Sequence, residues 1–113
     1  SWECSGMTRV GFQFKVKEGS KELYKEHHKS VWPEMLAALK KHGWNNYSLF
    51  MRNDGLLFGY FETSGTFQDA LAGMNTEEVN SRWQTLMAPF FESDNLTAPD
   101  QLIVSLEEVF HLA

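Results

Sequence analysis

Two residues one helical turn apart, Tyr24 and His28, offer the clearest chemistry in this chain of 113 residues. At about 100° per residue an i,i+4 pair shares one helical face, and Trp32 would continue that stripe if the helix did not break there, ahead of Pro33. A phenol, an imidazole and an indole therefore converge beside a helix end, where backbone groups lack helical partners. An imidazole with an ordinary pKa near 6.5 suits proton transfer at neutral pH. The structural alternative stands beside this one: a Tyr/His pair on an amphipathic helix is more commonly packing, with one ring nitrogen exposed. Likewise Trp83, in Ser81-Arg82-Trp83-Gln84, reads by helical period as a core anchor. Tyr47 reads as a half-buried ring with its hydroxyl at a rim, and Arg82 and Glu62 as surface or salt-bridge residues. His27 points about 100° away from His28 and is expected to be exposed. These residues nominate a pocket and leave its ligand open.

Other chemistries lack their usual patterns. His27, His28, His42 and His111 show no HExxH spacing, and Cys4 has no metal-site partner nearby, so no metal or other cofactor is expected. There is no GxSxG, no phosphate-binding glycine loop and no GxGxxG. Fifteen acidic against ten basic residues give a net charge of −5, which argues against a nucleic-acid partner. A single cysteine excludes an intrachain disulfide framework. No apolar run approaches the roughly 18 residues of a membrane helix, and no signal peptide is visible. The expectation is a cytoplasmic protein that meets no membrane, in which the sequons at Asn46-Tyr47-Ser48 and Asn95-Leu96-Thr97 are coincidental.

Elements must position the candidate residues. The chain is long enough for one domain. Residues 1–8 read as a flexible leader or a cloning remnant, with Met7 a possible start, and residues 9–113 as the domain. Val10, Phe12, Phe14 and Val16 alternate with polar residues, the pattern of a half-buried strand over Arg9 to Val16. Ser20 reads as the N-cap of a helix that Pro33 divides into Ser20–Ser30 and Pro33–His42, with Gly43 at C′. Met35, Leu36 and Leu39 form the expected buried stripe of the second piece. Trp44–Arg52 and Leu56–Glu62 are strands joined by the turn Asn53-Asp54-Gly55. Phe67–Pro89 is helical in two pieces broken around Gly73–Thr76, Phe90–Asp100 is loop, and Leu102–Leu112 is a last strand. This βαββαβ order predicts an α+β, ferredoxin-like sandwich: an antiparallel sheet with its helices on one face. The other face, carrying Phe and Tyr, calls for a ligand or a second sheet. Aromatic residues reach 14% of the chain, enough for a ring-rich core and a ring-lined site together.

The string Tyr24-x-x-x-His28-x-x-x-Trp32-Pro33-Glu34 resembles the L-rhamnose mutarotase family. The likeness runs on through His42-Gly43, Asn46-Tyr47, Leu57-Phe58 with Glu62, Arg82-Trp83, and Glu107-Glu108-Val109-Phe110-His111-Leu112. It implies a cofactor-independent enzyme with the dimeric α+β barrel fold, working as a homodimer that interconverts the α and β anomers of a monosaccharide, L-rhamnose. It implies His28 as the proton donor and Tyr24, Tyr47 and Trp83 as sugar contacts. The family also contacts substrate at the position after Trp83, often with a second tryptophan. Here that position is Gln84, an amide where an aromatic surface is usual.

Mutarotation fits such residues: protonating the ring oxygen while the anomeric hydroxyl loses its proton opens the pyranose, and reclosure after rotation gives the other anomer. The base is open between a water, Tyr47 and His28 itself. Two further readings stand beside the mutarotase: a cofactor-free monooxygenase of the dimeric α+β barrel type, and a non-catalytic sugar-binding module. The Tyr24-to-Glu34 string argues against the first, and Gln84 keeps the second open.

Overall fold

A computed structural model describes residues 6–91 and 102–113. Cys4, the second sequon, most of the expected leader and nearly all of the expected Phe90–Asp100 loop lie outside the described residues. Four strands, β1 (Thr8–Lys15), β2 (Asn45–Met51), β3 (Leu56–Thr63) and β4 (Val104–Leu106), form one sheet in the order β2-β3-β1-β4. Every pairing is antiparallel. Four helices, α1 (Lys21–His28), α2 (Pro33–Lys41), α3 (Phe67–Met74) and α4 (Glu78–Met87), complete the expected α+β, ferredoxin-like βαββαβ succession.

The alternation in β1 sends Val10, Phe12, Phe14 and Val16 into the core. Phe12 is fully buried, and its ring lies so close over Gly59 of β3 that a Cβ there would meet it at 2.1 Å. Glycine is the residue that lets a ring approach the sheet backbone so closely. Trp44, Phe61 and Phe67 complete the ring cluster, with Trp44 and Phe61 stacked at 4.0 Å between centroids.

Local chemistry sets the joints. Ser20 stands at the α1 N-cap, but a short 3₁₀ turn over Glu18–Ser20 precedes the helix and its side chain makes no capping bond. Pro33 opens α2 as its first residue, where its missing N–H is one the helix does not need. At the other end Gly43 takes φ 84°, and Gly43 N–H and Trp44 N–H donate to Lys40 O and Leu39 O. That is a Schellman closure, which turns the chain directly into β2. Gly55, at φ 93°, closes the β2–β3 turn. A register shift between Asn45 and Ser48, with Asn46 at φ 50°, marks a bulge at the start of β2.

Three expectations change. The last strand spans only Val104–Leu106, paired to Gly11–Gln13. Beyond it the chain leaves the sheet and is tied to β1 by Arg9, which donates from Nε and Nη2 to the Glu108 carboxylate at 2.8 and 3.2 Å. In α2 the inward positions are Met35 and Ala38, whereas Leu36 is 53% exposed. His27 is half-buried against the Phe90 ring, at 5.6 Å between centroids.

Candidate active site

The helix layer does not close completely over the sheet. A cavity of about 340 Å³ lies between α1, α2, α4 and the inner face of β2. It falls at the lower end of the roughly 300–1,000 Å³ typical of small-molecule sites. Tyr24, His28, Tyr47, Trp83 and Gln84 all line it, so helical period and strand alternation bring the five candidate residues to one space.

α1 supplies the Tyr24–His28 pair. Their rings stack at 4.1 Å and 24°, and His28 meets the Trp83 ring edge-on at 5.4 Å. His28 Nδ1 lies 2.9 Å from the Tyr24 carbonyl oxygen. A carbonyl only accepts, so Nδ1 carries the hydrogen and donates; in the neutral ring Nε2 then holds the lone pair. Nε2 has no hydrogen-bond partner among the described residues, and the His28 ring lines the cavity. Burial lowers the His28 pKa from its ordinary 6.5; the bond to Tyr24 opposes the shift and nearby His27 adds to it.

Tyr24 is buried beside Phe14 and Phe91, with ring centroids 6.5 and 6.0 Å away. Tyr47 projects from β2 against Trp44 at 5.0 Å. Burial raises both phenol pKa values far above the ordinary range, with a small contribution from Tyr47 at Tyr24. Both therefore stay protonated near neutrality and serve as hydroxyl partners, not as ready bases. Trp83 combines the two roles open to it: 6% exposed, it is a core residue whose ring also forms a cavity wall. Trp32 does not line the cavity; it packs edge-on against Trp83 at 5.0 Å and carries the Arg82 guanidinium at 5.7 Å from its ring centroid. Arg82 also bonds Glu78 at 3.3 Å, and Glu62 accepts from Tyr60 and Asn46, so both are salt-bridge or surface residues as expected.

One polar cavity residue escapes the sequence reading. Asn80 is 4% exposed and lines the same wall as Trp83 and Gln84. Its signal was positional: residues 80, 83, 84 and 87 follow the i, i+3, i+4, i+7 spacing of one helix face. A second depression, bordered by Lys21, Lys25 and Arg52, shares Tyr24, His28 and Leu49 with the cavity, so the Tyr24–His28 pair partitions the two spaces. His42 and His111 serve elsewhere, His42 Nε2 facing a Glu77 carboxylate oxygen at 2.6 Å and His111 lying 4.0 Å from Glu108. Among the described residues, no three His, Cys, Asp or Glu side chains converge as a metal site would require.

Comparison with known proteins identifies the family. A family model described as L-rhamnose mutarotase matches residues 9–112. A protein of Oceanobacillus iheyensis named L-rhamnose mutarotase is 35% identical over 107 residues, covering 94% of this chain and 99% of its own. A protein of the same name from Listeria monocytogenes is 38% identical over 109 residues, covering 95% and 100%. The crystal structure of L-rhamnose mutarotase from Formosa agariphila superposes with a TM-score of 0.79 at 30% identity, covering 94% of this chain and 99% of that one.

Proposed function

The chain belongs to the L-rhamnose mutarotase family, and from that premise we propose that it interconverts the α and β anomers of L-rhamnose in the cavity beneath α1 and α4. It is a carbohydrate mutarotase, and its relatives' names favour neither a monooxygenase nor a non-catalytic module. The observation that carries the site assignment is the His28 ring, which lines the cavity with its Nδ1 anchored to Tyr24 O and its Nε2 without a hydrogen-bond partner among the described residues.

Ring opening breaks the C1–O5 bond, removes the proton of the anomeric hydroxyl and adds one to O5. O1 and O5 are both bonded to C1, so one imidazole nitrogen held beside C1 reaches both. In this proposal the neutral Nε2 of His28 takes the O1 proton as the C1–O5 bond weakens. The resulting imidazolium is the proton donor to O5, leaving the open aldehyde. Rotation about C1–C2 presents the opposite carbonyl face, and the reverse transfers close the ring as the other anomer. Protons balance and no electrons are exchanged. The Tyr24 and Tyr47 hydroxyls bind sugar hydroxyls, Trp83 offers its face to the C–H groups, and Gln84 contacts the sugar from α4.

The same proposal places the enzyme in the cytoplasm as a homodimer. Its single cysteine fits a reducing compartment, and no helix among the described residues is long and apolar enough to cross a membrane. The sheet face away from the helices carries Phe50, Phe58, Val104 and Leu106, 37–64% exposed, which a second copy of the sheet would cover.

The deciding experiment is magnetisation exchange between the anomeric NMR signals of L-rhamnose. Wild-type protein is expected to accelerate exchange over buffer, and His28→Ala is expected to lose the acceleration. A wild-type protein that leaves the exchange rate at the buffer value would overturn the assignment.

A further inference from the structure

The α4 wall holds a polar group that the ring-opening chemistry does not use. Asn80 is 4% exposed and faces the cavity from a helix whose other inward residues there include Trp83 and Met87. Its Oδ1 accepts a hydrogen bond from Gln84 Nε2 at 3.2 Å, an i,i+4 contact within α4. That bond fixes the Asn80 amide. Its carbonyl is engaged, while its NH₂ has no acceptor among the described residues and is not sealed from open space. With its carbonyl engaged and no acceptor for its NH₂ among the described residues, the asparagine keeps a donor available on a cavity wall whose other inward residues are largely apolar.

We infer that Asn80, oriented by Gln84, is a specificity-determining residue that donates a hydrogen bond to a ring hydroxyl oxygen of the bound monosaccharide. The inference rests on reading the cavity as a sugar site. It also gives Gln84 a purpose in place of the second indole usual at its position. An indole offers a face to C–H groups and tolerates whatever lies opposite, whereas an amide pair demands an acceptor at one place. A site built around a substrate hydroxyl discriminates against the analogue lacking it, because its own polar group is then left unpaired. The ligand class is therefore a pyranose with a hydroxyl directed at α4.

The test titrates wild type, Asn80→Leu and Gln84→Met with L-rhamnose and its C2, C3 and C4 deoxy analogues, by calorimetry. Wild type is expected to lose roughly tenfold or more in affinity for one analogue, the cost of an unpaired buried donor. Both variants are expected to bring that ratio towards one. Asn80→Asp, isosteric and lacking the NH₂ donor while keeping the oxygen that accepts from Gln84, decides the matter if near-UV circular dichroism shows Asn80→Leu unfolded. A wild-type protein indifferent to every analogue, or an unchanged ratio in the folded variants, overturns the inference. Anomer exchange in the same samples separates it from the proposed function. Asn80-dependent binding without exchange overturns the mutarotase reading alone; exchange with an unaltered ratio in the variants overturns the role of Asn80 alone.

Discussion

His28 has two distinct nitrogens, and in the proposed reaction they do different work. Nδ1 is occupied by the Tyr24 carbonyl, so any proton the site moves passes through Nε2. General acid–base groups contribute about 10²–10⁴ in rate, and the loss in His28→Ala is expected within that range. The pH dependence follows from the sign of the shift. Burial lowers the His28 pKa, so the neutral ring that can accept the O1 proton predominates at neutrality and is lost as pH falls through a value below 6.5. Protein-dependent kcat/KM should therefore decline on the acid side with a midpoint under the ordinary imidazole value, measured after subtracting the buffer rate. A midpoint at or above 6.5 would contradict the burial of the ring. Tyr24 and Tyr47 leave no matching limb near neutrality, because burial raises both phenols.

Among the elements, short helices depend on their ends. The Thr66 hydroxyl accepts from Asp69 N–H at 3.1 Å and caps α3, and Thr66 itself is exposed. Thr66→Ala should cost about 1 kcal/mol in urea unfolding and leave the exchange rate per folded molecule unchanged. Gly43 is more demanding. At φ 84° it lies in the left-handed region, and a Cβ there would stand 2.8 Å from Thr63 Oγ1. Gly43→Ala should therefore destabilise by about 1–2 kcal/mol or more, since backbone strain and crowding act together. A smaller loss for Gly43→Ala than for Thr66→Ala would contradict that ordering. The Gly43 joint was legible in the sequence, because a C′ glycine satisfies backbone groups locally; the Thr66 cap emerged with the structure. The length of β4 was not legible either. The apolar residues of 102–112 suit a strand, but strand geometry holds only where the chain pairs with an edge, and here it pairs with β1 only at Gly11–Gln13.

For the whole molecule, the unanswered demand is the outer sheet face. Phe50 pairs with Phe58 across β2 and β3, and Val104 and Leu106 pair with Gln13 and Gly11 across β4 and β1, so the apolar side chains spread over the sheet. Val109, Phe110 and Leu112 follow, each at least 79% exposed. A dimer is expected by light scattering, and Phe58→Asp or Leu106→Asp should shift it to monomer by placing a charge in the contact. A wild-type monomer at micromolar concentration would remove the dimer from the proposal.

The sequence by itself determined the alternation of β1, the division of the first helical segment at Pro33, the turns at Gly43 and Gly55, and the pairing of Tyr24 with His28. These are local: spacing of 2 or 3.6 residues, a missing N–H, a positive φ. Only the tertiary structure decided which nitrogen of His28 is engaged, because the ring is packed edge-on against Trp83 of α4 as its Nδ1 meets Tyr24 O. It alone set Trp32 behind Trp83 and outside the cavity, left Leu36 exposed, and brought Asn80 to the sugar-sized space. The 14% of aromatic residues was countable from the outset. Which rings pack and which line a cavity was decided where α1, α2 and α4 meet over β2, since burial belongs to the assembled layers and not to any residue alone.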